Sequence, residues 1–222
     1  MADSVGSHDE RQRVVTLFNL VAPGYDNAAL RYFPFAADRL ITQMQPAPGA
    51  KILDVATGTG VVALAAAQAV GEEGRVVAID LAEAMLDRLQ DKIDKFGIRN
   101  IDLHVMDASS LDFRRDYFDH VVCSFGIFFL PDMLLALKEW VRVLKPGGKI
   151  LFTSFGKESF QPMADMFMKQ LATYNVLASD KHRPVAAQRL AEVEQCRLET
   201  AAPIGVGSAD GVHLRHNRRL LP

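Results

Sequence analysis

The chain has 222 residues, 49% of them hydrophobic, and its 25 Lys plus Arg against 27 Asp plus Glu leave a formal net charge of -2. A length of this order holds one large α/β domain whose core needs neither disulfides nor a structural metal. The near-neutral balance excludes a protein held on nucleic acid or anionic lipid mainly by basic charge, and it restricts no small substrate. Cys123 and Cys196, the only cysteines, make at most one disulfide and no four-cysteine metal site, as expected of a reducing compartment. The start, Met1-Ala-Asp-Ser-Val-Gly-Ser-His-Asp-Glu10, lacks the apolar run of a secretory signal, and the apolar stretch 121–137 is broken by Ser124, Gly126, Pro131 and Asp132. A cytoplasmic protein without a membrane span is expected, with peripheral membrane contact and oligomeric state left open.

Along the chain, residues 9–21 and 27–43 read as helices separated by Ala22-Pro-Gly-Tyr-Asp26, where Pro and Gly forbid continuation. From residue 51 the hydrophobic period switches between short apolar runs and longer amphipathic stretches, the pattern of βαβ units. The expected strands are residues 51–56, 75–79, 101–106, 120–124 and 149–154, and the helices between them are 60–70, 82–96 and 132–144. Gly71, Gly74, Gly97 and Lys145-Pro-Gly-Gly148 punctuate these boundaries. Strands apolar on both faces and separated by helices should be parallel, with right-handed crossovers, in a doubly wound three-layer α/β sandwich. Residues 160–178 and 185–196 read as further helices, and 200–222 have no clear period. The expected organisation is an N-terminal helical lid (1–45), a cofactor-binding core (46–156), and C-terminal helices with a divergent tail (157–222) in the same domain.

The segment Ile52-Leu-Asp-Val-Ala-Thr-Gly-Thr-Gly60 runs from a strand through a Gly-rich turn into a helix. Gly58 and Gly60 let backbone approach a ligand closely, and the helix start offers unpaired N–H groups to a carboxylate or phosphate. Alone, this pattern is equally a plain strand-to-helix turn. Asp80 closes the second strand twenty positions beyond Gly60, where a carboxylate can accept from a ribose diol, although Asp there also caps helices. Asp107 ends the third strand and could accept from an adenine amine, with Leu81 and Met85 as apolar faces for the ring. Each of these residues alone reads as turn or core. Three acids at the carboxyl ends of three successive strands point to a nucleoside ligand, because ligands bind at that edge. Gly58-Thr-Gly-Val-Val-Ala63 also matches the nicotinamide fingerprint; Asp54, Asp107 and Pro146-Gly-Gly148 weigh against it.

These segments resemble the class I S-adenosylmethionine-dependent methyltransferases, most closely the ubiquinone and menaquinone biosynthesis subgroup. The residues that carry the resemblance are Phe18-x-x-Val-Ala-x-x-Tyr-Asp26, Leu53-Asp-Val-Ala-Thr-Gly-Thr-Gly60, Asp80-Leu-Ala-Glu-Ala-Met85, Asp107-Ala108, Phe118-Asp119, Ser124-Phe-Gly126 and Arg142-Val-Leu-Lys-Pro-Gly-Gly148. It covers about residues 10–156 and implies a Rossmann-like, mostly parallel sheet whose first five strands run in the order 3-2-1-4-5. The antiparallel hairpin that usually follows has only residues 197–206 and 211–214 as candidates. The resemblance implies that Asp54, Ala56, Gly58, Thr59 and Gly60 line the methionine end of S-adenosyl-L-methionine. Asp80 would take the ribose, Asp107 and Ala108 the adenine, and Ser124 would lie beside the cofactor. Where the quinone subgroup carries an Arg-Asn pair after Ser-Phe-Gly, this chain has Ile127-Phe-Phe-Leu130.

Methyl transfer from a sulfonium is an in-line displacement, so the protein mainly desolvates and aligns the reactants, and a dedicated base is optional. The histidines His8, His104, His120, His182, His213 and His216 lie outside the matched motifs. Tyr25 could close over the cofactor with its ring or hydroxyl near the sulfonium, or be an ordinary packed turn aromatic. Phe125, Phe128 and Phe129, with the Met-rich helix Met163, Met166, Phe167, Met168 and Leu171, read either as core or as an adaptable wall for an oily acceptor. The basic tail Arg215-His-Asn-Arg-Arg219 reads as a solvated end, and no metal constellation appears. The expected function is methylation of a lipophilic small molecule on oxygen or carbon, with no nucleic-acid partner. The alternatives are an NAD-dependent oxidoreductase and a non-catalytic S-adenosylmethionine-binding protein.

Overall fold

The computed structural model describes residues 2–156, 159 and 162–173, with residues 2–8, 164, 167, 168, 171 and 172 described by backbone alone. The chain divides into two compact units, residues 1–153 and 154–222. The first holds a five-stranded parallel sheet, β1 (Lys51–Val55), β2 (Arg75–Asp80), β3 (Ile101–Val105), β4 (Phe118–Ser124) and β5 (Leu144–Thr153), in the order β3-β2-β1-β4-β5. The doubly wound sandwich is as the periodicity implied, and its strand order is as the resemblance implied. Winding reverses at β1, so the paired strands β1 and β4 flank the switch point, the place in an open α/β sheet where ligands bind past the carboxyl ends of the strands.

The helices follow from their sequences. In α4 (Glu83–Phe96), Leu86, Leu89 and Ile93 fall on one buried face, Glu83 and Lys95 suit the two dipole ends, and Gly97 terminates the helix in the left-handed conformation at φ 64°. In α5 (Met133–Val143), the Asp132 side chain accepts from the Leu135 N–H at 2.9 Å and Trp140 is fully buried. The Ala-rich α3 (Val61–Val70) lies close on the sheet. Together with α2 (Tyr32–Met44) and α4, it encloses one core of Leu40, Met44, Ala63, Ala66, Leu89 and Ile93 against Ile52, Val76, Ala78 and Val122.

Three boundaries differ from expectation. The first helix, α1, spans Ala2–Val21. The second expected helix starts late, because Asn27 accepts from the Ala29 N–H at 2.9 Å and caps a single 3-10 turn, Ala28–Leu30, ahead of α2. The fifth strand begins at Leu144 and not at residue 149. Leu144 already pairs with Phe118, and the Lys145–Gly148 stretch is absorbed as a register shift before Lys149 pairs with His120. There Gly147 stands at φ 81°, and a Cβ on Gly148 would meet the Asp119 carbonyl oxygen at 2.6 Å.

In the second unit, α6 (Met163–Thr173) falls inside the expected 160–178 helix, with Met163 and Met166 exposed. The expected helix 185–196, the strand candidates 197–206 and 211–214, the tail Arg215–Arg219, Cys196, His182, His213 and His216 lie outside the described residues. Among the described residues, no helix is long and apolar enough to cross a membrane, and no cluster of His, Cys, Asp or Glu could hold a metal ion.

Candidate cofactor and acceptor site

β1 ends in a turn with three residues in the left-handed region, two of them glycine. Ala56, Gly58 and Gly60 have φ of 53°, 55° and 84°, and the turn is tied down by Thr57 N–H to the Ile79 carbonyl at 3.0 Å and Gly60 N–H to the Thr57 carbonyl at 3.0 Å. The two glycines differ in surroundings. A Cβ on Gly60 would sit 2.2 Å from Leu89, whereas one on Gly58 would meet nothing within 4 Å, so Gly58 faces open space. Just past the neighbouring β4, Phe125 also adopts positive φ, 54°, and Gly126 packs so near Ala56 that a Cβ there would lie 2.6 Å from the alanine methyl. Two non-glycine residues at positive φ therefore stand at the exits of β1 and β4, as Gln45 and Asp116 do at their entrances.

Two acids converge here. Asp54 is 1% exposed; its Oδ2 accepts from the Thr57 hydroxyl at 2.6 Å, while Oδ1 is buried without a hydrogen-bond partner among the described residues. Burial pushes its pKa up to about 7 against the hydrogen bonds from Thr57 and the Ala63 N–H, and the charge of Asp80 adds to the rise. Asp80 accepts from the Gly58 N–H at 2.8 Å through Oδ2 and from the Ala82 N–H at 2.9 Å through Oδ1. Burial raises its pKa too, opposed by the N–H groups of Ala82, Gly58 and Leu81. Asp80 thus organises the start of α4, as an acid near a helix N-terminus does, and it also braces the Gly-rich turn. Each of its oxygens keeps acceptor capacity for a further donor.

The remaining predicted residues spread around this pair. Thr59 is buried, and its hydroxyl donates to Asp26 at 2.7 Å. At the end of β3, Asp107 accepts from the Ser109 N–H at 2.8 Å and pairs with Arg11 of α1 at 2.6 Å. Ala108 is buried with its carbonyl taken by the Trp140 indole N–H at 3.0 Å. Leu81 is half-buried, but Met85 is 1% exposed and packs beneath Ala22 and Ala82 with Phe18 and Tyr25, so its thioether supports the turn at Tyr25. The Ser124 hydroxyl lies 3.3 Å from that of Thr153, which also accepts from the Phe125 N–H at 3.0 Å.

Tyr25 stacks on Phe33 at 5.7 Å and meets Phe18 edge-on at 6.1 Å. Burial pushes its hydroxyl pKa up to about 12, with Tyr32 and Asp80 adding to the shift. The ring cluster continues to the far side of the switch point: Phe18 to Phe129 at 5.1 Å, Phe33 to Phe125 at 5.4 Å and Tyr32 to Phe125 at 5.8 Å. α1 therefore lies across the sheet edge, held by Arg11 on Asp107, by Phe18 on Phe129, and by Asn19, which accepts from the Ala84 N–H at 3.0 Å where α4 lacks a side-chain cap of its own. Sequence reasoning missed Arg11, Asn19, Tyr32, Phe33 and Lys92. The adjacent aromatics Tyr32 and Phe33, directly before Pro34, were a readable signal; charged residues on helices carry none.

A family model described as the ubiE/COQ5 methyltransferase family matches residues 6–180. The aklanonic acid methyltransferase DauC of Streptomyces sp. (strain C5) is 35% identical over 144 residues, which cover 65% of this chain and 66% of that protein. A demethylmenaquinone methyltransferase of Bacillus cereus (strain ATCC 10987 / NRS 248) is 36% identical over 146 residues, 64% of this chain and 62% of that protein. The chain thus spans slightly less than two thirds of the length of these curated relatives. Among solved structures, a SAM-dependent methyltransferase from Aquifex aeolicus superposes with a TM-score of 0.59 at 25% identity, covering 64% of this chain and 76% of that one.

Proposed function

Since the chain belongs to the ubiE/COQ5 methyltransferase family, we propose that it transfers the methyl group of S-adenosyl-L-methionine to an oxygen or carbon of a lipophilic small molecule. The observation that carries this reading is Asp54: a buried carboxylate with one unpartnered oxygen, beside an open glycine, calls for a cationic or donor-rich ligand such as an amino-acid ammonium. Asp80 offers its remaining lone pairs to ribose hydroxyls, and Asp107 with the backbone at Ala108 suits the adenine edge. These acids sit on successive strand ends, matching a nucleoside that terminates in an amino acid. The family membership sets the nicotinamide alternative aside.

When bound, S-adenosylmethionine supplies an electrophilic methyl on a sulfonium that an acceptor displaces in line. The protein's part is to bind, orient and exclude water. Residues 1–45 serve as a lid: α1 and the Tyr25 turn cover the edge, and the aromatic cluster from Phe18 to Phe129 forms a dry wall against which an oily acceptor is desolvated at about 25 cal/mol per Å² buried. The relatives named for aklanonic acid and demethylmenaquinone support an aromatic or polyketide acceptor. A cytoplasmic reaction without a nucleic-acid partner completes this reading, which the near-neutral charge supports.

A panel of phenols, quinols, amines and short RNAs with labelled cofactor tests this. Label should pass to phenols or quinols, and Phe129→Arg should abolish that transfer while cofactor affinity changes little. Transfer confined to RNA or polar amines would refute the acceptor class.

A further inference from the structure

Lys92 lies on α4 between the buried Leu89 and Ile93, outside every motif that marks the sheet edge, yet its side chain is only 22% exposed. Its ammonium stands 2.9 Å from both carboxylate oxygens of Asp26 and donates to the Thr59 carbonyl at 2.7 Å. Asp26 in turn accepts from the Thr59 hydroxyl at 2.7 Å. A helix lysine ordinarily extends into water. Here it is gathered by acceptors from two separate segments.

Those segments both border the proposed site. Thr59 sits between Gly58 and Gly60, the least restricted backbone of the turn, and Asp26 directly follows Tyr25, whose ring stacks on Phe33. Asp26 is opposed by burial, but the hydrogen bonds from Lys92 and Thr59 outweigh it and hold the carboxylate below its usual range, so the clasp is charged at neutral pH. We propose that Lys92 is a positioning residue that fastens the Tyr25 segment to the Gly-rich turn, so that both hold a single geometry around the cofactor. The proposal rests on the cofactor site described above. Because the pair is partly exposed, its effect should fall on ligand geometry more than on global stability.

The test compares binding of S-adenosylhomocysteine by calorimetry in the wild-type chain, Lys92→Met, Lys92→Arg, Asp26→Asn and the double variant Asp26→Asn/Lys92→Met. Lys95→Ala, the same charge change on the same helix, serves as control. Lys92→Met and Asp26→Asn should each weaken binding roughly tenfold, the double variant should be no weaker than Lys92→Met alone, and Lys92→Arg should recover most of the loss. Amide exchange across residues 22–33 should quicken in Lys92→Met and not in Lys95→Ala. If Lys92→Met does not fold, Asp26→Asn, on an exposed turn, still decides the matter. Normal affinity in Lys92→Met, or a double variant whose loss is the product of the single losses, would overturn the proposal. Absence of binding by the wild-type chain would instead overturn the cofactor site itself.

Discussion

The two ends of the same strands are built differently. At the amino end of β1 and β4, charges are matched. Asp119 accepts from the Lys51 N–H at 2.8 Å and from the Lys145 ammonium at 2.7 Å, and Lys149 donates to the Met44 carbonyl at 3.0 Å. Arg75 pairs with Asp102, and Arg142 holds the Leu111 and Phe113 carbonyls at 2.8 and 2.7 Å. At the carboxyl end, Asp54 is buried with an oxygen unpartnered and Asp80 is pushed toward protonation. Backbone strain does not separate the two ends, since Gln45 and Asp116 adopt positive φ just before β1 and β4, and the His120 Nδ1 is buried without a hydrogen-bond partner among the described residues. What sets the carboxyl end apart is two carboxyl groups whose burial raises their pKa and which a ligand can pair.

The largest effect should come from Gly60→Val. The new side chain would overlap Leu89 at a backbone φ of 84°, combining overpacking with left-handed strain of about 3–5 kcal/mol in total. Chemical denaturation should show this loss, and a variant as stable as wild type would break the description of the turn.

Next is Asp54→Asn, whose effects should oppose each other. With its carboxyl raised from 3.8 to about 7, the folded chain holds a proton that the unfolded chain releases between those values. The associated stability is full below about pH 4 and declines as pH rises to about 7, by on the order of 4 kcal/mol. Asp54→Asn should therefore be more stable than wild type at pH 8 and much closer to it at pH 4. Urea melts at both values check the sign.

The amino-terminal edge should respond in the other sense. Burial acts to raise the Asp119 pKa but is outweighed by Lys145 and the Lys51 N–H, so the net shift is downward. Its contribution is present above the unfolded carboxylate value and is lost as pH falls through the folded one. Asp119→Asn should cost about 1 kcal/mol at pH 7, reduced by solvent screening, and leave cofactor affinity unchanged. A loss of affinity there would blur the division between the two edges.

The smallest effect is expected at Arg11, whose ion pair occupies Asp107. Arg11→Gln should tighten S-adenosylhomocysteine binding by roughly two- to fivefold, the range of a partly exposed pair. Added salt should tighten wild-type binding relative to this variant. Weaker binding in Arg11→Gln would mean that the arginine assists the cofactor.

The sheet was legible because buried parallel strands and amphipathic helices leave opposite periodicities, and Gly71, Gly97 and Gly147 mark where one gives way to another. The start of β5 was not, since Lys145-Pro-Gly-Gly148 has the composition of a turn and only pairing with β4 makes it strand. In the site, Asp54, Gly58 and Asp80 could be read because their spacing is fixed by the strand-turn-helix path. Arg11, Asn19 and Lys92 act through contacts between segments distant in sequence, and nothing in their local surroundings distinguishes them from solvated helix residues. Met85 shows the converse: its motif position is recognisable, but its side chain points under the Tyr25 turn.

The most direct test of the central claim is calorimetric titration of S-adenosylhomocysteine into the wild-type chain and Asp54→Asn across pH 6 to 8. Wild type should bind, with affinity rising as pH climbs through about 7 and the Asp54 carboxylate becomes available to the ligand's ammonium group. Asp54→Asn should bind far more weakly and without that pH dependence. Equal affinity in the two proteins, or no binding in either, would contradict the assignment of this edge to the cofactor.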